Sequence, residues 1–245
     1  MKYGFAICLS FLFAVSAAQA VSPQWPANGE IVFDVLHGDD GMKLGVGTHR
    51  WSQDGRAYEM STRLETTGLA NVLFDFEYVQ TVEGAVRADG LQPRRFVVEQ
   101  KGRETEQASF DWQTGSVLIE RRKNRKRTAS VTAGDLDVLS VWHLGSVHGA
   151  AALPEALTLV SNRSADAATL QVMGMEEIAL PAGRFKTQHV RLADEEGRLA
   201  IDLWLSQQHA WLPVRILMKD HKGQVLDQRA SSIRLGAPLA GKAGR

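Results

Sequence analysis

Hydrophobic and polar residues alternate with a period of two along most of this chain, in short runs separated by turn residues. Tyr58, Met60, Thr62 and Leu64 fall on one side of a run whose other side carries Glu59, Ser61, Arg63 and Glu65. Successive side chains of a strand point to opposite faces, so this pattern predicts a strand with one wet and one buried side. The alternation recurs at Ile31, Phe33 and Val35, at Phe74, Phe76 and Tyr78, at Leu199 to Leu205, and at Val214, Ile216 and Met218. Turn chemistry separates the runs: Gly38 to Gly41, Asp54-Gly55 and His221-Lys222-Gly223. About a dozen strands, spaced by roughly 8 to 14 residues, predict an all-β fold. The expected architecture is a curved antiparallel sheet forming a partial or closed barrel.

One short helix is predicted to pack on that sheet. Asp135 is placed to cap a segment from Leu136 to Gly145, in which Leu136, Leu139 and Trp142 recur every three residues and share a face. Gly145 reads as its stop, and a shorter helical turn is expected at Leu69 to Leu73. The stripe Leu136, Leu139, Trp142 either packs on the sheet or covers a cavity, which makes these three the candidate ligand-binding residues. Two stretches also echo one another: Leu91-Gln92-Pro93-Arg94 and Trp211-Leu212-Pro213-Val214 each place a proline at a strand start.

The N-terminus departs from the strand rhythm. Lys2 precedes an apolar run from Gly4 to Val15, too short for the roughly 20 residues that cross a bilayer. Ala18-Gln19-Ala20 follows with small residues where a signal peptidase reads, so residues 1–20 are expected to be a cleaved secretory signal. Residues 21–235 read as a single β-rich domain and 236–245 as a disordered tail. Cleavage removes Cys8, the sole cysteine, which leaves the mature chain without a disulfide, a thiolate nucleophile or a cysteine-ligated metal. No later run reaches membrane-spanning length, so a periplasmic product with no transmembrane segment is expected. The chain carries 28 basic and 28 acidic residues. That balance argues against a nucleic-acid binder, whose domain is usually strongly basic.

Motifs for chemistry are weak. Gly145-Ser146-Val147-His148-Gly149 lacks the spacing of a nucleophile elbow and follows a helix instead of leading into one. The seven histidines are scattered, with no metal-binding run, and neither a metal site nor a cofactor is expected. Asp202, beside Leu203 and Trp204, is the most cleft-like carboxylate, but the solvent face of a strand explains it better. Gly45-Val46-Gly47 lies within a strand, where glycine marks a bulge or a close backbone approach and not a phosphate loop. The strongest anomaly is the basic run Arg121, Arg122, Lys123, Arg125, Lys126 and Arg127, with Lys123-Asn124 as the turn of a hairpin. It is a candidate for docking on an anionic envelope surface, or else a charged edge that blocks aggregation.

The opening Asn28-Gly29-Glu30, the strand Leu44-Gly45-Val46-Gly47 and the turn Asp89-Gly90-Leu91-Gln92-Pro93 resemble the Domain of Unknown Function 3108 family of exported bacterial proteins. Ala108 to Trp112, Leu139-Ser140 and Leu212-Pro213-Val214-Arg215 carry the same resemblance, which extends from Gly29 to Leu235. It implies a periplasmic β-protein and transfers no catalytic residues. A more distant likeness, of architecture alone, is to periplasmic lipoprotein carriers, which curve an open barrel over an apolar cavity. The leading expectation is a non-enzymatic binding or envelope-maintenance protein holding a lipid or other apolar ligand between sheet and helix. An interaction scaffold with a solid core, and a hydrolase assembled from distant strands, are the alternatives.

Overall fold

The computed structural model describes residues 25–38, 41–68 and 76–236. The expected secretory signal, Phe74, Asp39-Asp40, the expected turn at Leu69 to Leu73 and residues 237–245 of the expected tail lie outside the described residues. The first half of the chain forms β1 (Asn28–His37), β2 (Met42–Gln53), β3 (Ala57–Thr66), β4 (Glu77–Arg87), β5 (Gly90–Gln100), β6 (Glu106–Asp111), β7 (Ser116–Arg121) and β8 (Arg125–Ser130). The second half forms β9 (Leu136–Asp137), β10 (Ala156–Val160), β11 (Ala165–Leu180), β12 (Gly183–Asp194), β13 (Leu199–Ser206), β14 (Leu212–Asp220) and β15 (Val225–Leu235). β8 is Arg-Lys-Arg-Thr-Ala-Ser, and β9 has two residues.

All fifteen strands join one sheet, in the order β8 through β1, then β15 back through β9. Each strand therefore lies beside its sequence neighbours, except that β8 and β9 form the two outer edges and the first and last strands meet in the middle, with Gly29 opposite Leu235 and His37 opposite Leu226. Pairing is antiparallel apart from β9 with β10. The connection from β8 to β9, residues 131–135, links the two outer edges of this sheet. Laid flat, fifteen strands would separate those edges by about 67 Å, whereas a five-residue link reaches about 20 Å. The sheet must curl until its edges approach.

The edges do not pair with each other, so the barrel is partial. Near the seam a side chain of β6 instead bridges to the loop after β10. The Glu106 carboxylate on β6 accepts from Asn162 Nδ2, in the loop after β10, and from Arg122 Nε at 3.2 Å. These contacts hold Glu106 below the usual carboxylate range, against the upward push of its burial.

The inward phase of the strands is the one the alternation predicts. Ile31, Phe33 and Val35 are buried, as are Tyr58, Met60 and Thr62, and Ile201, Leu203 and Leu205. The Lys123-Asn124 turn has positive φ at both residues (61° and 52°), the backbone of a type I′ hairpin. The two proline echoes share more than composition. Gly84 pairs with Pro93 and Glu83 with Arg95, while Leu205 pairs with Pro213 and Trp204 with Arg215. Each proline thus sits beside a one-residue bulge, where a missing ladder donor is tolerated.

The helix is shorter and later than expected. Leu136 and Asp137 are strand, followed by a 3₁₀ turn (Ser140–His143) and a helix α1 (Leu144–His148). Asp135 does not start it; its carboxylate takes the amides of Thr132 and Thr158 and ties the connection to β10. The turn begins where Asp137 Oδ1 accepts the amides of Leu139 and Ser140. Nor is Gly145 the stop. Gly149, with φ of 77°, ends α1, while a Cβ on Gly145 would lie 2.7 Å from the Trp211 carbonyl oxygen. The glycine is there because the helix presses against the turn between β13 and β14.

Candidate ligand-binding site

A cavity of about 720 Å³ opens at the end of the sheet where β1 finishes and β2 begins. Its walls come from both halves of the chain: Val35, Leu44, Leu64 and Tyr78 from the first, Met218 and Leu226 from the second. Its volume falls in the range typical of small-molecule sites, roughly 300 to 1,000 Å³, and its wall is predominantly apolar, as such sites are. Met42 and Phe76, 60% and 37% exposed, stand at its rim. Two strand glycines sit beside it, Gly45 where β2 closely approaches the backbone of β3 and Gly47 against side chains of the wall. A Cβ on Gly45 would fall 1.9 Å from the Glu65 carbonyl oxygen, and one on Gly47 would meet Leu64 and Gln228. A second groove, of about 520 Å³, lies over β2–β5 and is lined by charged residues including Arg50, Glu59, Glu83 and Arg95.

Trp142, from the 3₁₀ turn, forms the base of the apolar cavity, its ring centroid 5.1 Å from that of His49. Beneath it runs a buried polar chain. Trp25 Nε1 donates to His143 Nδ1 at 2.9 Å, His143 Nε2 meets His49 Nε2 at 2.8 Å, and His49 Nδ1 meets Thr62 Oγ1 at 2.8 Å. An indole nitrogen only donates, so the neutral His143 carries its proton on Nε2 and gives it to His49 Nε2. His49 then carries its own proton on Nδ1, directed at Thr62. Burial pushes the His49 pKa down to about 3 and that of His143 well below the ordinary value. Both rings are uncharged at neutral pH. Alongside them, Tyr58 donates to Ser140, which donates to Asp137, and burial raises the Asp137 carboxyl. These groups satisfy one another.

The sequence candidates divide. Trp142 reaches the cavity, whereas Leu136 and Leu139 are buried in the core below it and do not line it. The spacing of three that grouped them assumed a continuous helix, and the strand β9 breaks it. Ser146 donates to the Ala210 carbonyl at 2.6 Å and has no histidine partner among the described residues. Asp202 is held by Arg191 and by His189 Nε2 at 2.7 Å. Among the described residues no three histidines or acids converge as for a metal. In the basic hairpin, Arg122 pairs with Glu106 and Lys126 with Glu120. Lys123, Arg125 and Arg127 are exposed and form no ion pair among the described residues.

Sequence reasoning missed Gln228, 1% exposed on the cavity wall. It lies in phase with Leu226 and the buried Ala230 on β15, and a polar residue on the core-facing phase of a strand is a readable signal. His49 and Thr62 carry the same signal, in phase with Trp51 and Met60.

A single curled antiparallel sheet, open at one seam and enclosing an apolar pocket over a short internal helix, defines a β-barrel-like protein. The chain belongs to the family described as "Protein of unknown function (DUF3108)", which matches residues 32–228. It is similar to a solved β-barrel-like protein of the DUF1849 family from Brucella abortus, with a TM-score of 0.52 and 12% identity over 86% of this chain and 98% of that one. A putative lipoprotein from Parabacteroides distasonis also aligns, with a TM-score of 0.31 and 10% identity, over 88% of this chain and 100% of that one. No curated protein matches significantly. The likeness to the Brucella protein is one of fold; among the described residues no helix is long and apolar enough to cross a membrane.

Proposed function

We propose that the protein is a non-enzymatic binding protein of the cell envelope that holds a lipid or other apolar small molecule in the cavity above Trp142. The observation that carries this reading is the apolar lining of a 720 Å³ space with an open rim. Exposed Met42 and Phe76 at that rim give a greasy ligand a path in from a membrane or a carrier. The expected N-terminal signal supports a periplasmic location.

The basic hairpin supports a docking role for the same end of the molecule. Successive antiparallel strands place alternate turns at opposite ends, so the β1–β2, β3–β4, β5–β6 and β7–β8 turns share the cavity's end. Lys123, Arg125 and Arg127 near that end would approach an anionic envelope surface together with the rim. A second reading, an interaction module, is favoured by Val172, Met173 and Met175, which stand 50–58% exposed on β11.

Titration with N-phenylnaphthylamine, an uncharged dye that fluoresces in apolar surroundings, distinguishes these readings. Saturable one-to-one enhancement is expected, and it is expected to vanish when Leu226→Trp fills the cavity. An unchanged signal in that variant, or no signal in the native protein, contradicts the cavity reading and favours the module.

A further inference from the structure

The apolar cavity shares a wall with the seam. Tyr78 lines both the cavity and a small notch of about 20 Å³ at the seam, where the turn after β5 faces the loop after β10. The strand register sets how close the two lie. Leu64 of the cavity pairs with Tyr78, and Tyr78 pairs with Gln100 of the notch. Paired residues on adjacent strands point to the same face, so Leu64 and Gln100 stand two strand spacings apart on the inner side, about 10 Å.

The two spaces differ in charge. No lysine or arginine lines the cavity. Its polar groups are Gln80, whose Nε2 donates to the Tyr78 hydroxyl at 3.4 Å, Thr66, whose Oγ1 takes the Phe76 amide at 3.1 Å, the buried Gln228, and the exposed His37 and Glu65. The notch, by contrast, is lined by Arg103, Arg122 and Arg163. Its two carboxylates are already engaged, Glu106 by Arg122 and Asn162, and Glu104 by the Lys123 amide at 2.8 Å. The guanidinium groups of Arg103 and Arg163 have no partner among the described residues. Burial raises the pKa of the Tyr78 hydroxyl, and the charge of Arg163 opposes that shift, which places this cation beside the shared wall.

Resting on the cavity reading, we infer that the ligand is an acidic amphiphile, its tail in the cavity and its oxyanion head at the seam notch between Arg103 and Arg163. The notch admits one water-sized group, so it takes a single oxygen of a carboxylate or phosphate while the rest of the head stays in solvent. Guanidinium donors suit such oxygens, and a bond between two ions is the stronger kind. A hydroxyl head forgoes that charge, and an ammonium meets two unpaired cations.

Four probes with the same decyl tail, each competing with N-phenylnaphthylamine at pH 8, separate this inference from the reading beneath it: decanoate, decyl phosphate, decanol and decyltrimethylammonium. At least one of the two acids is expected to bind about tenfold more tightly than decanol, the effect of one charge-assisted hydrogen bond at a part-exposed site. The ammonium is expected to bind least tightly. The tighter acid identifies the head as carboxylate or phosphate. The double variant Arg103→Gln, Arg163→Gln alters two exposed side chains that hold nothing in place. In it the acids are expected to fall to the level of decanol, while the dye and decanol bind as before. Equal binding of all four, tightest binding by decanol or the ammonium, or an unaltered gap between acid and alcohol in the double variant overturns the inference and leaves the cavity reading intact. Failure of the dye and every probe to bind overturns both.

Discussion

Between pH 6.5 and pH 4.5 the protein is expected to lose about 2 kcal/mol of stability to His49 alone. The ring is neutral in the folded state until its pKa of about 3, but in the unfolded chain it gains a proton near 6.5. Below that value each unit of pH favours the unfolded state by a further 1.4 kcal/mol or so, until the folded pKa is reached. The contribution is thus whole above pH 6.5 and shrinks as the medium becomes acid. His143, also depressed by burial, adds loss in the same direction. Asp137, whose folded pKa is raised, acts oppositely and offsets part of it. Urea midpoints measured across this window are expected to fall steadily. A flat profile would mean that water or a counter-ion reaches the two rings.

Trp142→Ala is expected to cost about 3–5 kcal/mol, the range for deleting a large buried side chain. The indole is 2% exposed and touches the His49 ring on its inner side. Removing it merges the cavity with the space over His49–His143 and exposes that polar chain to whatever fills the pocket. The loss is measured as a shift in the urea midpoint at pH 7.5. A cost below about 1 kcal/mol would mean that the base of the cavity collapses around the deletion, and the wall as described would be wrong.

The fold was largely legible because each strand announces itself locally. Ile31, Phe33 and Val35 need no knowledge of the rest of the chain to be assigned to an inner face. Closure was legible only as far as curvature, since the pairing of β1 with β15 joins residues two hundred positions apart. The internal helix was misjudged for a local reason. Two aspartates two residues apart, Asp135 and Asp137, compete for the role of helix initiator, and tertiary contacts with Thr158 claim the first. The site was the least legible part. Trp142 came from a stripe whose other members serve the core, and the cavity wall is assembled from strands at both ends of the chain. What the sequence did carry, unread, was polarity on the wrong phase: His49 and Gln228 each interrupt an inward-facing apolar series.

A crystal of the protein soaked in bromododecane provides the most direct measurement, because anomalous scattering locates the bromine without a prior choice of site. Bromine density between Leu64, Met218 and Trp142 is the predicted result. Density confined to the outer face of β11, or an interior filled by repacked side chains with no bromine in it, would contradict a ligand-holding barrel.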